Sequence, residues 1–161
     1  IYNYRNNIMR IAINGFGRIG KLVLRAFLEK KFQNVNIVAI NELGSLDSSI
    51  HLLKYDSVHG KIPSKILKTK NGIKIGGNNI NFYSEKDPNN LPWKSLKVDV
   101  VLECSGVFTS KEKAMAHINA GAKKVIISAP AINVDKTIVQ GVNNQQLTKK
   151  HNIISNGSCT T

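Results

Sequence analysis

The chain has 161 residues, of which 42% are hydrophobic, and this suits one α/β domain with its own core. No run of 18 apolar residues is present, so the sequence predicts no contact with a membrane through a spanning helix. The net charge of +13 comes from scattered lysines without interleaved aromatic residues, a pattern that does not favour nucleic-acid binding as the main role.

The cysteines and histidines exclude two further classes of protein. Cys104 and Cys159 form no CxxC pair, so the sequence indicates neither a disulfide framework nor a redox motif. The four histidines are dispersed and match no metal-ligand spacing, so we expect no metal site. A reducing, cytoplasmic compartment is the expectation that follows.

Residues 1–8 are polar and contain no apolar core segment, so they do not resemble a signal peptide. We interpret them as a disordered or non-native leader. The predicted domain then covers residues 9–161.

The first predicted strand, Arg10–Asn14, runs directly into the glycines of a Gly-x-Gly-x-x-Gly motif and then into a helix. Gly15 suits the tight turn, Gly17 lets a pyrophosphate approach the backbone, and Gly20 lets the helix pack on the strand. Apolar residues at helical spacing predict the buried face of that helix: Ile19, Leu22, Val23, Ala26 and Phe27.

An acidic residue follows the second predicted strand, residues 36–41. Glu42 lies 22 residues after Gly20, where a carboxylate would bind an adenosine ribose. Strand, glycines, helix and acid together favour a dinucleotide site. The alternative is a structural glycine turn in another kind of α/β protein.

The next segments alternate between helical and strand patterns. A short helix is predicted over residues 47–55, with Asp47 or Ser48 as its cap. Residues 64–83 are broken by Asn-Gly and Gly-Gly-Asn turns, which predicts small antiparallel strands inserted between the βαβ units.

The remaining segments return to the βαβ pattern. An apolar strand over residues 98–104 ends at Ser105, and Ser110 is predicted to cap a helix that Gly121 closes. The later elements are a strand at 124–128, a strand at 137–142, a helix at 143–150 and a strand at 153–156. This order predicts an α/β fold of the Rossmann type, with a doubly wound, mostly parallel sheet and a small antiparallel hairpin region.

The last strand runs into Gly157-Ser-Cys-Thr-Thr161, which brings a small nucleophile to the sheet edge where the dinucleotide is expected. A helix beginning near Ser158 would favour the thiolate of Cys159. Cys104 lies within an apolar strand, and we interpret it as a buried structural cysteine.

These two end motifs together resemble the phosphorylating glyceraldehyde-3-phosphate dehydrogenases, whose entire amino-terminal, cofactor-binding half would correspond to residues 9–161. The motifs that carry the resemblance are Ile13-Asn-Gly-Phe-Gly-Arg-Ile-Gly20, Leu53-Lys-Tyr-Asp-Ser-Val-His-Gly60, Ser84-Glu-Lys-Asp-Pro88, Ser105-Gly-Val-Phe-Thr109, Ala120-Gly-Ala-Lys-Lys-Val125, Ile127-Ser-Ala-Pro130 and Ser155-Asn-Gly-Ser-Cys-Thr-Thr161.

The resemblance implies a role for each residue that matches the family's motifs. Arg18 and Ile19 would lie over the NAD pyrophosphate, and Glu42, where the family usually has Asp, would bind the ribose and favour NAD over NADP. Lys86, where the family often has Arg, would lie near the adenine. The groove would further include Ser105, Gly106 and Ser128.

The resemblance also implies the chemistry. The thiolate of Cys159 would attack glyceraldehyde 3-phosphate, giving a thiohemiacetal and then a thioester that inorganic phosphate converts to 1,3-bisphosphoglycerate, with a possible oxyanion contact from the Cys159 N–H. Ser158 and Thr160 would contact substrate or phosphate. Full-length members of the family form homotetramers and act in glycolysis.

Two departures from the family's pattern bear on activity. Gly157 replaces the more usual Ala, an exchange of similar size that would loosen the backbone beside the nucleophile. The family's general-base histidine and its phosphate-binding threonine and arginine lie downstream of the cysteine motif. We therefore expect this chain alone, without the catalytic domain, to bind NAD but not to turn over.

Three alternatives remain open from the sequence. Erythrose-4-phosphate dehydrogenase is similar in this half, as Ile40-Asn-Glu-Leu43 and Leu91-Pro-Trp93 indicate. A catalytically inert NAD-binding module is another alternative, although it has no need of the cysteine motif. A charge-driven nucleic-acid binder would show affinity that falls steeply with salt.

Overall fold

The structure, a computed structural model, describes residues 8–30 and 32–158. The leader predicted at residues 1–8 therefore lies outside the described residues except for Ile8. The helices are α1 (Arg18–Lys30), α2 (Leu46–Lys54) and α3 (Lys111–Asn119), with 3-10 turns at Pro88–Asn90 and Asn144–Gln146. The strands are β1 (Met9–Asn14), β2 (Val35–Asn41), β3 (Tyr55–Asp56), β4 (Gly60–Lys61), β5 (Ile66–Thr69), β6 (Gly72–Ile75), β7 (Asn78–Tyr83), β8 (Val100–Glu103), β9 (Lys124–Ile127), β10 (Lys136–Thr137) and β11 (Ile153–Ser155).

Nine of these strands form one twisted sheet in the order β10-β11-β9-β8-β1-β2-β7-β6-β5. Each pairing from β10 through to β2–β7 is parallel, whereas the pairings β7–β6 and β6–β5 are antiparallel. The predicted doubly wound, mostly parallel fold is thus confirmed. The antiparallel strands extend the main sheet through β7, and β3 with β4 forms a separate two-stranded hairpin.

The two faces of the sheet are covered by different helices, because successive residues of a strand point to opposite sides. In β1, Ala12 packs in the core cluster that includes Ala114 of α3. Its neighbour Ile13 packs in the cluster that contains Leu24 of α1 and Leu53 of α2. This three-layer arrangement leaves the carboxyl ends of the parallel strands exposed at one edge of the sheet.

The buried face of α1 differs from the predicted one. Ile19 is 39% exposed and Ala26 is also exposed, whereas Gly20, Leu24 and Phe27 are buried. The helix turns Gly20 toward the sheet, and glycine is required there because a side chain would meet the Gly15 carbonyl and lie 3.1 Å from the Ile13 methyl. The glycine motif had predicted this close contact at Gly20, whereas the apolar spacing alone had included Ile19 and Ala26 in the buried face.

The caps of α2 and α3 follow the predicted chemistry, but one residue was wrong. The N-cap of α2 is Ser45, whose hydroxyl accepts the Ser48 N–H, and neither Asp47 nor Ser48 caps it. Ser110 caps α3 as predicted, and Gly121 follows the helix with a φ of +106°.

A buried arginine that the sequence did not single out joins α1 to the end of α2. Arg25 is only 4% exposed, and its guanidinium donates to the carbonyls of Leu53, Lys54 and Gly60. A cation is favourable at a helix carboxyl terminus because the carbonyls there lack helical partners.

The segment before β11 is less regular than predicted. The strand expected at residues 137–142 is reduced to β10, and the helix expected at 143–150 is only the 3-10 turn at Asn144–Gln146. Asn143 explains the difference, since its side chain bonds the Val139 N–H and the Thr137 carbonyl. Such local bonds compete with helix and sheet ladders.

Candidate cofactor site

A cleft of about 330 Å³ opens at the carboxyl ends of β1, β2 and β8. Here the chain passes from β1 through α1 to β2 on one side, while β8 pairs with β1 on the other, so this is the topological switch point of the sheet. Of the predicted site residues, five line the cleft: Gly15, Gly17, Glu42, Lys86 and Ser105.

The glycine turn forms the wall between β1 and α1. Gly15 has a φ of +86°, and a Cβ there would lie 2.5 Å from the Ser105 backbone, so both conformation and close approach require glycine. Nothing lies within 4 Å of a Cβ placed on Gly17, which leaves open space beside the start of α1. The first N–H groups of a helix have no acceptor within the helix, so this space suits an anion.

Arg18 and Ile19 lie in the first turn of α1, beside this space. The Arg18 guanidinium donates to Asp56 of the β3–β4 hairpin at 2.9 Å and therefore points away from the cleft. The backbone N–H groups of His59 and Val58 hold the pKa of Asp56 below its usual value, and Arg18 adds to this. The predicted contact of Arg18 with the pyrophosphate would then be made by its backbone N–H, which lies in the first turn of α1.

Glu42 follows β2 and faces the glycine turn. One oxygen accepts the Phe16 N–H at 2.6 Å and the other accepts the Gly44 N–H at 3.0 Å. A carboxylate offers about four acceptor positions, so two remain for hydroxyl donors. Lys21 donates to the Phe16 carbonyl, and burial lowers the pKa of Lys21 although Glu42 opposes this.

Two exposed apolar side chains border the cleft from opposite sides. Leu43, after β2, is 57% exposed, and Val107, in the loop after β8, is 59% exposed. Lys86 and Phe108 complete this end of the cleft. An apolar slot with a cation at its rim is suited to a flat aromatic ring. The sequence placed residues 105–109 in the crevice but assigned no individual role to Val107 or Leu43.

A buried polar network lies beneath the cleft and was also missed. Glu103, the last residue of β8, is 1% exposed and accepts from Asn14, His117 and Ser105. Asn14 in turn accepts a bond of 2.7 Å from Asn41. A signal was present in the sequence, because each of the parallel strands β1, β2 and β8 ends in a polar residue after an apolar run.

Cys104 and Ser128 lie on the β8–β9 side of the cleft. Burial raises the pKa of the Cys104 thiol to about 11, although a hydrogen bond with Ser128 acts in the opposite direction. Cys104 is therefore a protonated thiol at neutral pH. It lies one residue after β8, is only partly buried and lines the cleft, so the prediction of a cysteine buried within the strand was wrong. Ser128 follows β9, and its N–H donates to the Glu103 carbonyl at 3.0 Å.

The cysteine motif begins at the end of β11, on the same sheet edge. The buried Ser155 hydroxyl donates to the Ala129 carbonyl at 2.7 Å and accepts the Gly157 N–H at 3.1 Å. Gly157 has a φ of +83°, so an alanine would be strained and the Ala-to-Gly exchange is not conservative in this chain. Ser158 follows, while Cys159 and Thr160 lie outside the described residues.

Other kinds of site receive no support from the described parts of the chain. Among residues 8–30 and 32–158, no three His, Cys, Asp or Glu side chains are grouped so as to bind a metal ion. No helix in the same ranges has the length and apolar character that a membrane crossing requires.

A glycine turn at the switch point of a parallel sheet, with a carboxylate after the second strand, defines a dinucleotide-binding domain. The family model for the NAD-binding domain of glyceraldehyde 3-phosphate dehydrogenase matches residues 9–111, well over half of the chain. The chain belongs to the glyceraldehyde-3-phosphate dehydrogenase family, in which this domain binds NAD.

Curated relatives agree with this assignment. The chain is 53% identical to the glyceraldehyde-3-phosphate dehydrogenase of Thermotoga maritima over 152 residues, and 51% identical to that of Zymomonas mobilis over 154 residues. The matches cover 94% and 95% of this chain but 46% of each relative. The chain thus spans slightly less than half the length of these dehydrogenases, and it corresponds to their amino-terminal half.

Proposed function

We propose that this chain is the cofactor-binding half of an enzyme that oxidises glyceraldehyde 3-phosphate to 1,3-bisphosphoglycerate, with Cys159 as the nucleophile. The observation that carries the proposal is the position of β11. It ends at Ser155 on the carboxyl edge of the sheet, two strands from β8, so the motif that follows begins beside the dinucleotide cleft.

The residues present fit NAD at each part of the cofactor. The open space over Gly17 and the first-turn N–H groups of Arg18 and Ile19 suit the pyrophosphate. Glu42 has acceptor positions for the ribose hydroxyls, and Leu43 with Val107 forms a slot for the adenine, with Lys86 at its rim. On this arrangement Gly106 and Ser128 lie toward the nicotinamide side.

The proposed chemistry begins at the sulfur of Cys159. Its thiolate forms a bond to the aldehyde carbon, and the resulting thiohemiacetal alkoxide loses a hydride to become a neutral thioester. When bound, NAD supplies the two-electron acceptor for that hydride. An oxygen of inorganic phosphate then attacks the thioester carbon, the C–S bond breaks, and the thiolate is regenerated with release of the acyl phosphate. Ser158 and Thr160 are proposed to contact substrate or phosphate.

The direct test is Cys159→Ser in the full-length protein that contains this chain. We expect phosphate-dependent NADH formation to fall by at least about 10³-fold, because a serine hydroxyl ionises far less readily than a thiol and is the weaker nucleophile at neutral pH. NAD affinity should stay unchanged. Retained activity in this variant would refute the role of Cys159.

The two alternatives, an erythrose-4-phosphate dehydrogenase and an inert NAD-binding fragment, are tested by comparing substrates and by assaying the 161-residue chain alone. Comparing kcat/KM on glyceraldehyde 3-phosphate and erythrose 4-phosphate distinguishes the two sugar-phosphate dehydrogenases, and the relatives' identity favours the former. The 161-residue chain alone should bind NAD without turnover. Turnover above background by this chain alone would contradict that expectation.

The assembly and location of the enzyme are further parts of the proposal. By its family, the full-length protein is proposed to be a cytoplasmic homotetramer acting in glycolysis. Light scattering on the full-length protein tests the assembly, with a mass of four chains expected and a monomeric mass contradicting it.

A further inference from the structure

Glu103 is a buried carboxylate whose hydrogen bonds are all made to neutral groups. Its Oε2 accepts the Asn14 amide at 2.6 Å and lies 2.8 Å from His117 Nε2. Its Oε1 accepts the Ser105 N–H at 2.8 Å and also the Ser105 hydroxyl. Four donors complete the acceptor positions of a carboxylate, which allows the group to be buried without a lysine or arginine partner.

The tautomer of His117 follows from its contact with Trp93. His117 is 0% exposed, and the Trp93 indole donates to its Nδ1 at 3.1 Å. An indole nitrogen can only donate, so Nδ1 must accept and the ring proton lies on Nε2. His117 therefore donates to Glu103 Oε2, the oxygen that also accepts the Asn14 amide.

The other carboxylate oxygen, Oε1, bonds the loop that borders the cleft. Both donors of Ser105 bond to the same Glu103 oxygen, and the Ser105 hydroxyl also accepts the Val107 N–H at 3.1 Å. The N–H and hydroxyl of Ser105 are thus used in bonds to Glu103 and within the loop. Val107, at the end of this chain of bonds, is the apolar side chain that faces Leu43 across the cleft.

The network also connects the two sides of the switch point. From Glu103 it passes to Asn14 at the end of β1 and then to Asn41 at the end of β2. Asn41 bonds the backbone of Glu85, which follows β7, through both its amide and its carbonyl. One series of buried and partly buried bonds therefore joins the ends of four strands below the cleft.

We propose that Glu103 is a positioning residue for the cofactor: by bonding Ser105 and Asn14 at once, it holds the residue 105–108 loop at the distance from β2 that dinucleotide binding requires. This inference rests on the proposed use of the cleft for NAD. It assigns to Ser105 a role in shaping the loop through Glu103, in addition to lining the groove.

The first test is Glu103→Gln in the purified protein, with NAD affinity measured by calorimetry. An amide presents an N–H to a position where donors already point, so either Ser105 or Asn14 with His117 loses its acceptor. We expect the Kd for NAD to rise at least about tenfold, as for the loss of a hydrogen bond to a charged group. An unchanged Kd would overturn the proposal.

The second test is Ser105→Ala, which removes only the hydroxyl on an exposed loop and should fold even if Glu103→Gln does not. We expect its Kd for NAD to rise at least about threefold, since the loss of one hydrogen bond is of this order. In the double variant the two effects should not add, because both act through one contact. Additive effects, or an unchanged Kd for Ser105→Ala, would refute the contact.

Asp135→Asn is the matched control for general destabilisation. Asp135 also accepts several bonds, from Lys111 and from the Asn152 and Ile153 N–H groups, but it lies at the amino ends of β10 and β11. The Asp135→Asn variant should leave NAD affinity unchanged. An equal loss of affinity in this control would make the Glu103 effect merely structural. Absence of NAD binding by the unmodified protein would instead refute the proposed function.

Discussion

The carboxylates at the two edges of the parallel sheet differ in burial and in hydrogen-bond partners. At the carboxyl edge, Glu103 is buried and bonded to neutral groups of three separate elements. At the amino edge, Asp99 and Asp135 are partly exposed and bonded to lysines and backbone N–H groups. The amino edge therefore resembles an ordinary surface, whereas the carboxyl edge uses buried polar groups to shape a cleft.

Gly15→Ala should have the largest effect, because it disrupts the carboxyl edge where β1 approaches the loop after β8. The new Cβ would lie 2.5 Å from the Ser105 backbone on a residue with a φ of +86°. We expect a loss of about 3 kcal/mol in the free energy of unfolding, measured by urea denaturation.

Gly17→Ala is the control for that variant, since nothing lies within 4 Å of its Cβ. Its free energy of unfolding should change by less than about 1 kcal/mol, while NAD binding weakens because the methyl group enters the cleft. Similar destabilisation by both variants would contradict the tight contact at Gly15.

Asp135→Asn should have an intermediate effect on the free energy of unfolding. This effect should depend on pH, because it comes from a charged carboxylate at the amino edge. Lys111 chiefly, with the Ile153 and Asn152 N–H groups, holds the pKa of Asp135 at about 2, against 3.8 for a free carboxyl group. The folded-state pKa is depressed, so this contribution is fully present above pH 3.8 and is lost as pH falls through about 2. We expect a cost of about 1–3 kcal/mol at pH 7 that disappears near pH 2.

Urea denaturation of both proteins from pH 7 to pH 2 gives this comparison. A difference that persists unchanged at pH 2 would show that Asp135 stabilises the fold by packing and not by charge.

Lys123→Ala should have a smaller effect than either of these. Its ammonium pairs with Asp99 at 2.6 Å, but the side chains are 75% and 26% exposed. Water screens such pairs, so the expected cost is below about 1 kcal/mol and should shrink further in high salt. A cost above about 2 kcal/mol by thermal or urea unfolding would show that the amino edge contributes more than a surface normally does.

Cys104 should show no measurable reaction with iodoacetamide at pH 7, the smallest effect of this series. Its pKa of about 11 leaves a negligible thiolate fraction, and labelling should rise only as pH approaches that value. Mass spectrometry of peptides from a Cys159→Ser background measures this residue alone. Rapid labelling at pH 7 would contradict the raised pKa of this thiol.

The local parts of this fold were predictable from the sequence, and the long-range ones were not. The glycine turn and the Ser110 cap depend on neighbouring residues, and both lie where their patterns predicted. The burial of Arg25 and Glu103 was missed because charged residues are usually exposed. Asn14 lies far from Glu103 in the chain, and Leu53 lies far from Arg25, and spacing does not reveal such distant partners.

The same limit applies to the candidate site. Glu42 was placed at the ribose position from its distance to Gly20, but its bonds to Phe16 and Gly44 became visible only in the folded chain. No binding role was predicted for Leu43 or Val107, because exposed apolar residues are common and their chemistry alone does not distinguish them.

The most direct measurement is a calorimetric titration of the protein with NAD and then with NADP. The carboxylate of Glu42, held toward the glycine turn, should repel a 2′-phosphate on the adenosine ribose. The account predicts that NAD binds at one site per chain and at least about tenfold more tightly than NADP. Equal affinity for the two, or tighter binding of NADP, would contradict the placement of the cofactor in this cleft.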